Sequence, residues 1–195
     1  MTDSKKRCAW ADSAPDFPHY HDHEWGFPVA DDQRLFEKLC LETFQSGLSW
    51  RTILAKRENF RLAFHQFDIN KVAQFDEHDI EELLNNAGII RNIRKIYAVI
   101  NNAKRAQEMI AKEGSLAAFL WRYEPDENTL PPPETQTTCK ESVQLSKDLK
   151  KLGWSFVGPT TLYAFMQSMG LINDHAEHCF MREEIDKARK AFERP

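Results

Sequence analysis

The stretch Cys40-Leu-Glu-Thr-Phe-Gln-Ser-Gly-Leu-Ser-Trp50 decides how this chain is read. It runs as an apolar helix, carries one carboxylate, breaks at Gly47 and ends on a tryptophan. Seven helical residues turn through about 700°, so Glu42 lies about 20° from the line through Leu35, with Leu39 on the same side. Leu41 and Phe44 fill other directions, so the helix is apolar nearly all round and is expected to be buried. A buried carboxylate is costly unless a partner meets it. One reading makes Glu42 an edge residue or a cap on neighbouring amides. The other makes it a carboxylate waiting in a pocket for a cationic or amino-bearing ligand.

The rest of the chain reads as helices around this one. Asp31 or Asp32 caps it, and a second helix follows Ser49 with Ile53, Leu54, Phe60 and Phe64 inward. Asp68, Asp76, Asn92 and Ser115 open further helices, the one after Asp76 ending at Gly88. In the helix after Asn92, Ile93, Ile96, Tyr97 and Ile100 are expected inward. Residues 1–30 look irregular but are too aromatic for a disordered tail. Residues 124–141, with Pro125 and the Pro131-Pro132-Pro133 run, are expected to form a surface loop. Ser142 opens a helix with Leu145, Leu149 and Leu152 on one face, and Gly158-Pro159 starts the next. The tail from Arg182 is expected to be helical. No run alternates as a strand would, so the expected class is all-α.

Composition sets bounds. A chain of 195 residues allows one large domain or two small lobes. A net charge of −4 argues against broad nonspecific binding to polyanions. Arg91, Arg94, Lys95, Lys104 and Arg105, in a stretch without acids, still permit a local basic face. The polar start predicts no secretory signal, and no run is long and apolar enough for a membrane. A cytoplasmic chain with four widely spaced cysteines points to metal binding or burial rather than disulfides.

Two constellations could carry chemistry. His175-Ala-Glu-His-Cys179 sets His175 and Cys179 four apart, with His178 competing at spacing three. Cys8 and the alternating His19, His21 and His23 stand near the other end. Imidazoles with thiolates in a tetrahedral set suit zinc, and a Cys2His2 site would be closed and structural. The bland alternative is surface histidines and buried thiols. Residues 142–170 form a helix, a tight turn over Gly153–Gly158 and a second helix, beside Lys147, Lys150 and Lys151. Such a turn can offer backbone N–H groups to a phosphate, with Gly158, Thr160 and Lys151 as the expected contacts. It can equally be a plain antiparallel helix pair.

The motifs Arg7-Cys-Ala-Trp10, Tyr20-His-Asp-His-Glu-Trp-Gly26, Leu41-Glu42, Gly47-Leu-Ser-Trp50, Lys56-Arg-Glu-Asn59, Ala87-Gly-Ile-Ile-Arg91, Phe156-Val-Gly158 and Asn173-Asp-His175 resemble, in order, those of the 3-methyladenine DNA glycosylase I family. The resemblance runs from about residue 7 to 179. It implies an all-α, two-lobed helix-hairpin-helix fold formed as one unit over residues 1–195, with a zinc site joining the N- and C-terminal segments. It implies hydrolysis of the bond between 3-methyladenine and deoxyribose in alkylated double-stranded DNA, by a monomer. The family's structural Zn2+ ligands fall on Cys8, His21, His175 and Cys179. Its base-recognition carboxylate falls on Glu42, and its pocket aromatics on Trp50, Tyr20 and Trp25, with Trp10 beside them. An enzyme acting on a base must extrude it, and Leu48 is the expected wedge left in the stack. N3-methylation makes adenine cationic within DNA, which suits a carboxylate and aromatic faces. Glu42 is therefore expected to read the base rather than serve as proven acid or base. Asp174, next to His175, is expected to orient its neighbours. No lysine motif marks a Schiff base, so simple hydrolysis without a lyase step is expected. Two rivals stand beside this reading: a noncatalytic zinc module that binds nucleic acid, and a zinc hydrolase with Glu42 or Glu24 as base.

Overall fold

The protein is described by a computed structural model over residues 5–195. Residues 1–4, part of the start read as lacking a signal, lie outside it. The described residues form eleven α-helices with short 3-10 turns, and no strand occurs among them. No helix among them is long and apolar enough to cross a membrane.

The helix carrying Glu42, here α2 (Asp32–Gln45), is the hub. Asp31 caps it by accepting from Arg34 N, and every residue from Leu35 to Phe44 except Glu37 is buried. Around α2 pack α3 (Trp50–Ala55), α7 (Ile93–Glu113), α8 (Leu116–Leu120) and α10 (Pro159–Ser168). The large apolar core lies between these elements and reaches Phe60, Phe64 and Phe67. Ser49 caps α3, which stops at Lys56; α4 (Arg57–Ala63) continues from there, so the single expected helix is two short ones. Two short helices, α5 (Ile69–Val72) and α6 (Glu77–Asn85), start on the expected caps Asp68 and Asp76. Asn92 caps α7 through Arg94 N and Lys95 N.

Several expectations are corrected by packing. Residues 1–30 are not irregular throughout: α1 (Phe17–His23) sits there, with Pro18 in its first turn. It is short and without an apolar stripe; a second apolar cluster of Cys8, Tyr20, Trp25, Ala176, Cys179, Met181 and Ile185 holds it in place. On α7 the buried stripe is Ile96, Val99, Ala103 and Ala106, whereas Ile93 and Tyr97 are exposed. Leu152 is also exposed, beyond the last turn of α9 (Lys140–Lys151), whose cap is Cys139 rather than Ser142. Over residues 124–139 the only helical element is one 3-10 turn, Glu127–Thr129. The last helix, α11 (Met181–Ala191), closes over the second cluster.

Two close approaches lock the N-terminal segment to the rest. Gly170 has φ +81°, and a Cβ there would lie 2.5 Å from the Pro28 backbone. Gly26 has φ +88°, and a Cβ there would lie 2.8 Å from His175 Cε1. Both positions need glycine for conformation and for space. Gly26 N donates to Ser168 O and Val29 N to Met169 O along this seam.

Candidate functional site

Trp50 touches both apolar clusters, and an open cleft of about 290 Å³ lies at that junction. Tyr20 from α1, Glu42 from α2, Trp50 from α3, and Trp10 and Trp25 line it, with Ala164 and Gln167 from α10. The Tyr20 and Trp50 rings stand 5.3 Å apart, and the Trp10 and Trp25 rings 5.1 Å apart at 80°. The five residues expected around a bound base thus line one cleft.

Glu42 does not wait alone. Lys38, one turn earlier on α2, places its ammonium 2.8 Å from Glu42 Oε1, and both side chains are buried. The same nitrogen donates to Tyr20 Oη at 3.0 Å and lies 3.4 Å from the centre of the Trp50 ring. Burial alone would lower the lysine's pKa, but the Glu42 charge and the Tyr20 hydroxyl outweigh it and raise it above the ordinary value. Burial, first of its causes, raises the Tyr20 phenol too. The slot between carboxylate and indole therefore already holds a cation.

Beside Lys38 is a small, partly open chamber of about 40 Å³, sharing Tyr20, Lys38 and Trp50 with the cleft. Its wall is charged and internally paired: Arg57 grips Glu24 at 2.5 and 2.9 Å, and Arg61 meets Glu37 at 2.8 Å. Burial would raise the Glu24 carboxyl, but the Arg57 fork holds it below the usual range. Glu24 and Glu42 are both engaged by cations, which leaves neither as the free base that a hydrolase reading requires.

The rest of the site is fixed from further off. Lys95 on α7 is buried and donates to Phe44 O at 2.7 Å and Ser46 O at 2.6 Å. It is thus a cap on the C-terminus of α2 rather than part of a basic face. Arg91, Arg94 and Lys104 remain exposed. Beyond that cap comes the turn with Gly47 at φ +78° and Leu48 standing out into solvent, 42% exposed. Asp174 is buried and accepts from Gln167 Nε2 at 2.6 Å and from Glu134 N at 3.0 Å, so it holds the Gln167 amide at the cleft.

Near the cleft, Cys8, His21 and Cys179 are buried with ligand atoms all within 4.8 Å of one another, a group that could hold a metal ion. His21 Nδ1 donates to the Asp22 carboxylate at 2.8 Å, which leaves its Nε2 as a lone pair, 3.4 Å from Cys179 Sγ. Asp22 is itself fixed by Arg7 at 2.7 Å. His175 lies just outside the tight triad, its ring 5.0 Å from that of His21. Its Nδ1 donates to Asn173 Oδ1 at 2.9 Å. The Asn173 amide cannot be reversed, because its Nδ2 donates to Arg182 O and Asp186 Oδ1. His175 Nε2 is therefore a lone pair too, buried and without a partner. Burial lowers the pKa of both imidazoles, His175 to about 3, and raises the Cys8 thiol to about 12. Two neutral imidazoles with bare Nε2 atoms and two buried thiols fit a cation that would draw the thiolates out. His19, His23 and His178 have no place in the group.

The turn between α9 and α10 is tied to α7. Asn102 exchanges hydrogen bonds with Ser155, Asn101 donates to Gly153 O at 2.8 Å, and Ser146 Oγ donates to Val157 O at 2.6 Å. Gly158 caps α10, Thr160 is exposed in its first turn, and Lys151 is exposed beside Asp148 at 3.3 Å. These three are apart from the cleft but share α10 with its Ala164 and Gln167 wall.

A family profile described as methyladenine glycosylase matches residues 10–182. The chain belongs to the methyladenine glycosylase family. It is similar to DNA-3-methyladenine glycosylase 1 of Escherichia coli, 46% identical over 181 residues, covering 89% of this chain and 95% of that one. It is equally similar to DNA-3-methyladenine glycosylase of Haemophilus influenzae, 46% identical over 177 residues, 89% of this chain and 96% of the relative. Among solved structures, 3-methyladenine DNA glycosylase I from Staphylococcus aureus, whose recognition of 3-methyladenine was the subject of that structure, superposes with a TM-score of 0.83. It is 35% identical, over 92% of this chain and 98% of that one.

For this methyladenine glycosylase chain, sequence reasoning overlooked Lys38 and Gln167, and it placed Lys95 on a basic face rather than at the end of α2. Only Lys38 had a readable signal: a basic residue four before an acid on one helix is spaced to pair with it.

Proposed function

We propose that this chain is a DNA-3-methyladenine glycosylase that hydrolyses the N-glycosidic bond of the methylated base in alkylated DNA. The observation that carries this reading is the slot of Glu42, Tyr20 and Trp50, a carboxylate and two aromatic faces that already hold a cation. In DNA, 3-methyladenine is a flat cation, so it matches both the charge and the shape of such a slot. Neutral adenine lacks the charge. Because the reacting bond is hidden in the duplex, the base must be flipped into the cleft. Glu42 reads it, Trp50 and Tyr20 stack on it, and Trp10 and Trp25 close the sides.

Leu48 is the wedge, since its apolar side chain projects into solvent at the turn just before Trp50. Gly158 and Thr160 at the start of α10, with Lys151, contact the phosphate backbone, which orients the duplex toward the cleft wall on the same helix. No lysine motif of the chain marks a Schiff base, which supports hydrolysis by water with no lyase step.

One structural Zn2+ on Cys8, His21, His175 and Cys179 completes the reading. The ion would supply a closed tetrahedral tie and no open position for water. The partnerless Nε2 of His175 would be the ion's fourth ligand. The ion's place, next to Trp10 and Trp25, makes it a support for the cleft.

Incubation of the protein with alkylated DNA, followed by chromatography of the freed bases, tests the activity. Release of 3-methyladenine is expected; a folded protein that releases none defeats it. Lys151→Ala is expected to weaken duplex binding and flatten its salt dependence, with binding of free 3-methyladenine unchanged.

A further inference from the structure

The ammonium of Lys38 sits where a stacked base would sit. Its nitrogen is 3.4 Å from the centre of the Trp50 ring, 2.8 Å from Glu42 Oε1 and 3.0 Å from Tyr20 Oη. A planar base also stacks about 3.4 Å above an indole, so the two cannot share that face. We propose that Lys38 is a resident occupant of the base slot, which every incoming base must displace from Trp50 and Glu42. The proposal rests on the reading of the cleft as a base pocket.

The surroundings make this displacement costly. Lys38 lines both the open cleft and the smaller chamber beside it, together with Tyr20 and Trp50. The chamber holds two carboxylates, but Glu24 is gripped by Arg57 and Glu37 by Arg61. Arg34 also lines it. An ammonium leaving Glu42 in that direction meets arginines rather than an uncommitted anion. In the other direction lies the cleft mouth, where water replaces the lost contacts only in part. Either way the lysine loses a buried ion pair and a cation–π contact.

Competition of this kind has a definite signature. The energy needed to clear the slot is the same whatever enters. Lys38 therefore raises the threshold for every base by one common factor and leaves the ratio between bases unchanged. A base that brings its own positive charge restores the pairing of Glu42, whereas a neutral purine leaves it unpaired. That difference belongs to Glu42, and the threshold belongs to Lys38. Together they would keep weakly held, undamaged purines out while the methylated cation still enters.

The test is Lys38→Met, which keeps an unbranched side chain of similar reach without the charge. Binding of free 3-methyladenine and of free adenine is measured by calorimetry for wild type and variant. The expected result is about tenfold tighter binding of both bases to K38M, by the same factor. Unchanged or weaker binding of 3-methyladenine overturns the proposal and makes Lys38 a spectator or a ligand of the base. Tightening of one base alone overturns the common threshold. If K38M does not fold, a crystal structure of wild type with 3-methyladenine decides: the ammonium is expected off the Trp50 face, and finding it still within 4 Å of that ring overturns the idea. A wild-type protein that binds no 3-methyladenine sinks the base-pocket reading and this proposal with it. Wild-type binding without a gain in K38M sinks this proposal alone.

Discussion

Glu42 is buried against a cation of its own chain, and that changes what its removal would do. A lone pocket carboxylate could be removed at no cost to the fold. Glu42→Ala instead strands the buried Lys38 ammonium without its counter-ion. We expect it to cost about 3–5 kcal/mol, read as a fall in the urea midpoint. The pair replaced together, Lys38→Met with Glu42→Leu, should recover most of that loss while excision stays abolished. A double variant as unstable as Glu42→Ala would contradict the ion pair as the cause. Glu24 gives a pH signature. Its carboxyl is held below the ordinary range in the folded protein, so it adds stability above the unfolded value, about pH 4.3. That stability is lost as pH falls through the folded value. The Tm of wild type should therefore exceed that of Glu24→Gln at pH 6, and the gap should close on acidification toward pH 3.

Among the elements, the C-terminal end of α2 is the sensitive point. Lys95 crosses from α7 to hold Phe44 O and Ser46 O, and the turn bearing Leu48 and Trp50 begins there. Lys95→Met leaves two carbonyls without that donor and should destabilise by about 1–3 kcal/mol. Its larger effect should fall on excision from duplex DNA, because the wedge turn loosens, while free-base binding changes little. Parallel losses in both assays would show that Lys95 supports the fold and not the turn. Helix starts were legible in the sequence at the caps Asp31, Ser49, Asp68, Asp76, Asn92 and Ser115, but not at α9, where the cap is a thiol, Cys139. Such caps are local chemistry. What packing across the chain decides was not legible. Helix α1 has no stripe of its own, Tyr97 lies on the solvent side of α7, and Lys95 turns inward from a run that reads as a basic face. The aromatic residues stand around the Glu42 helix in the sequence itself, and motifs in order that resembled a family tied them to Glu42. Lys38, on the same helix, was missed because a lysine between apolar neighbours reads as solvated.

At the scale of the molecule, the putting together of distant segments is the main theme. Cys8 Sγ accepts from Ala176 N, 168 residues later, and Phe180 N donates to Lys6 O at 2.9 Å. If zinc holds Cys8, His21, His175 and Cys179, stripping it should lower Tm by more than 10 °C, given that structural zinc contributes about 10 kcal/mol or more of folding free energy. Elemental analysis should find one zinc per chain, and Cys8→Ser should lose it. A chelated protein with an unchanged melt would remove the metal from the account.

The clasp between the two segments also orders events during synthesis. The ribosome delivers Tyr20, Trp10 and Trp25 early, but the residues they pack on, Ala176 through Ile185, emerge much later. The large core around α2 can form before that, since α7, α8 and α10 precede the last segment. Until then Tyr20, Trp10 and Trp25 lack that backing on a nascent chain. The half-made protein is therefore expected to have Glu42 and Trp50 in place before the aromatic side of the cleft is held.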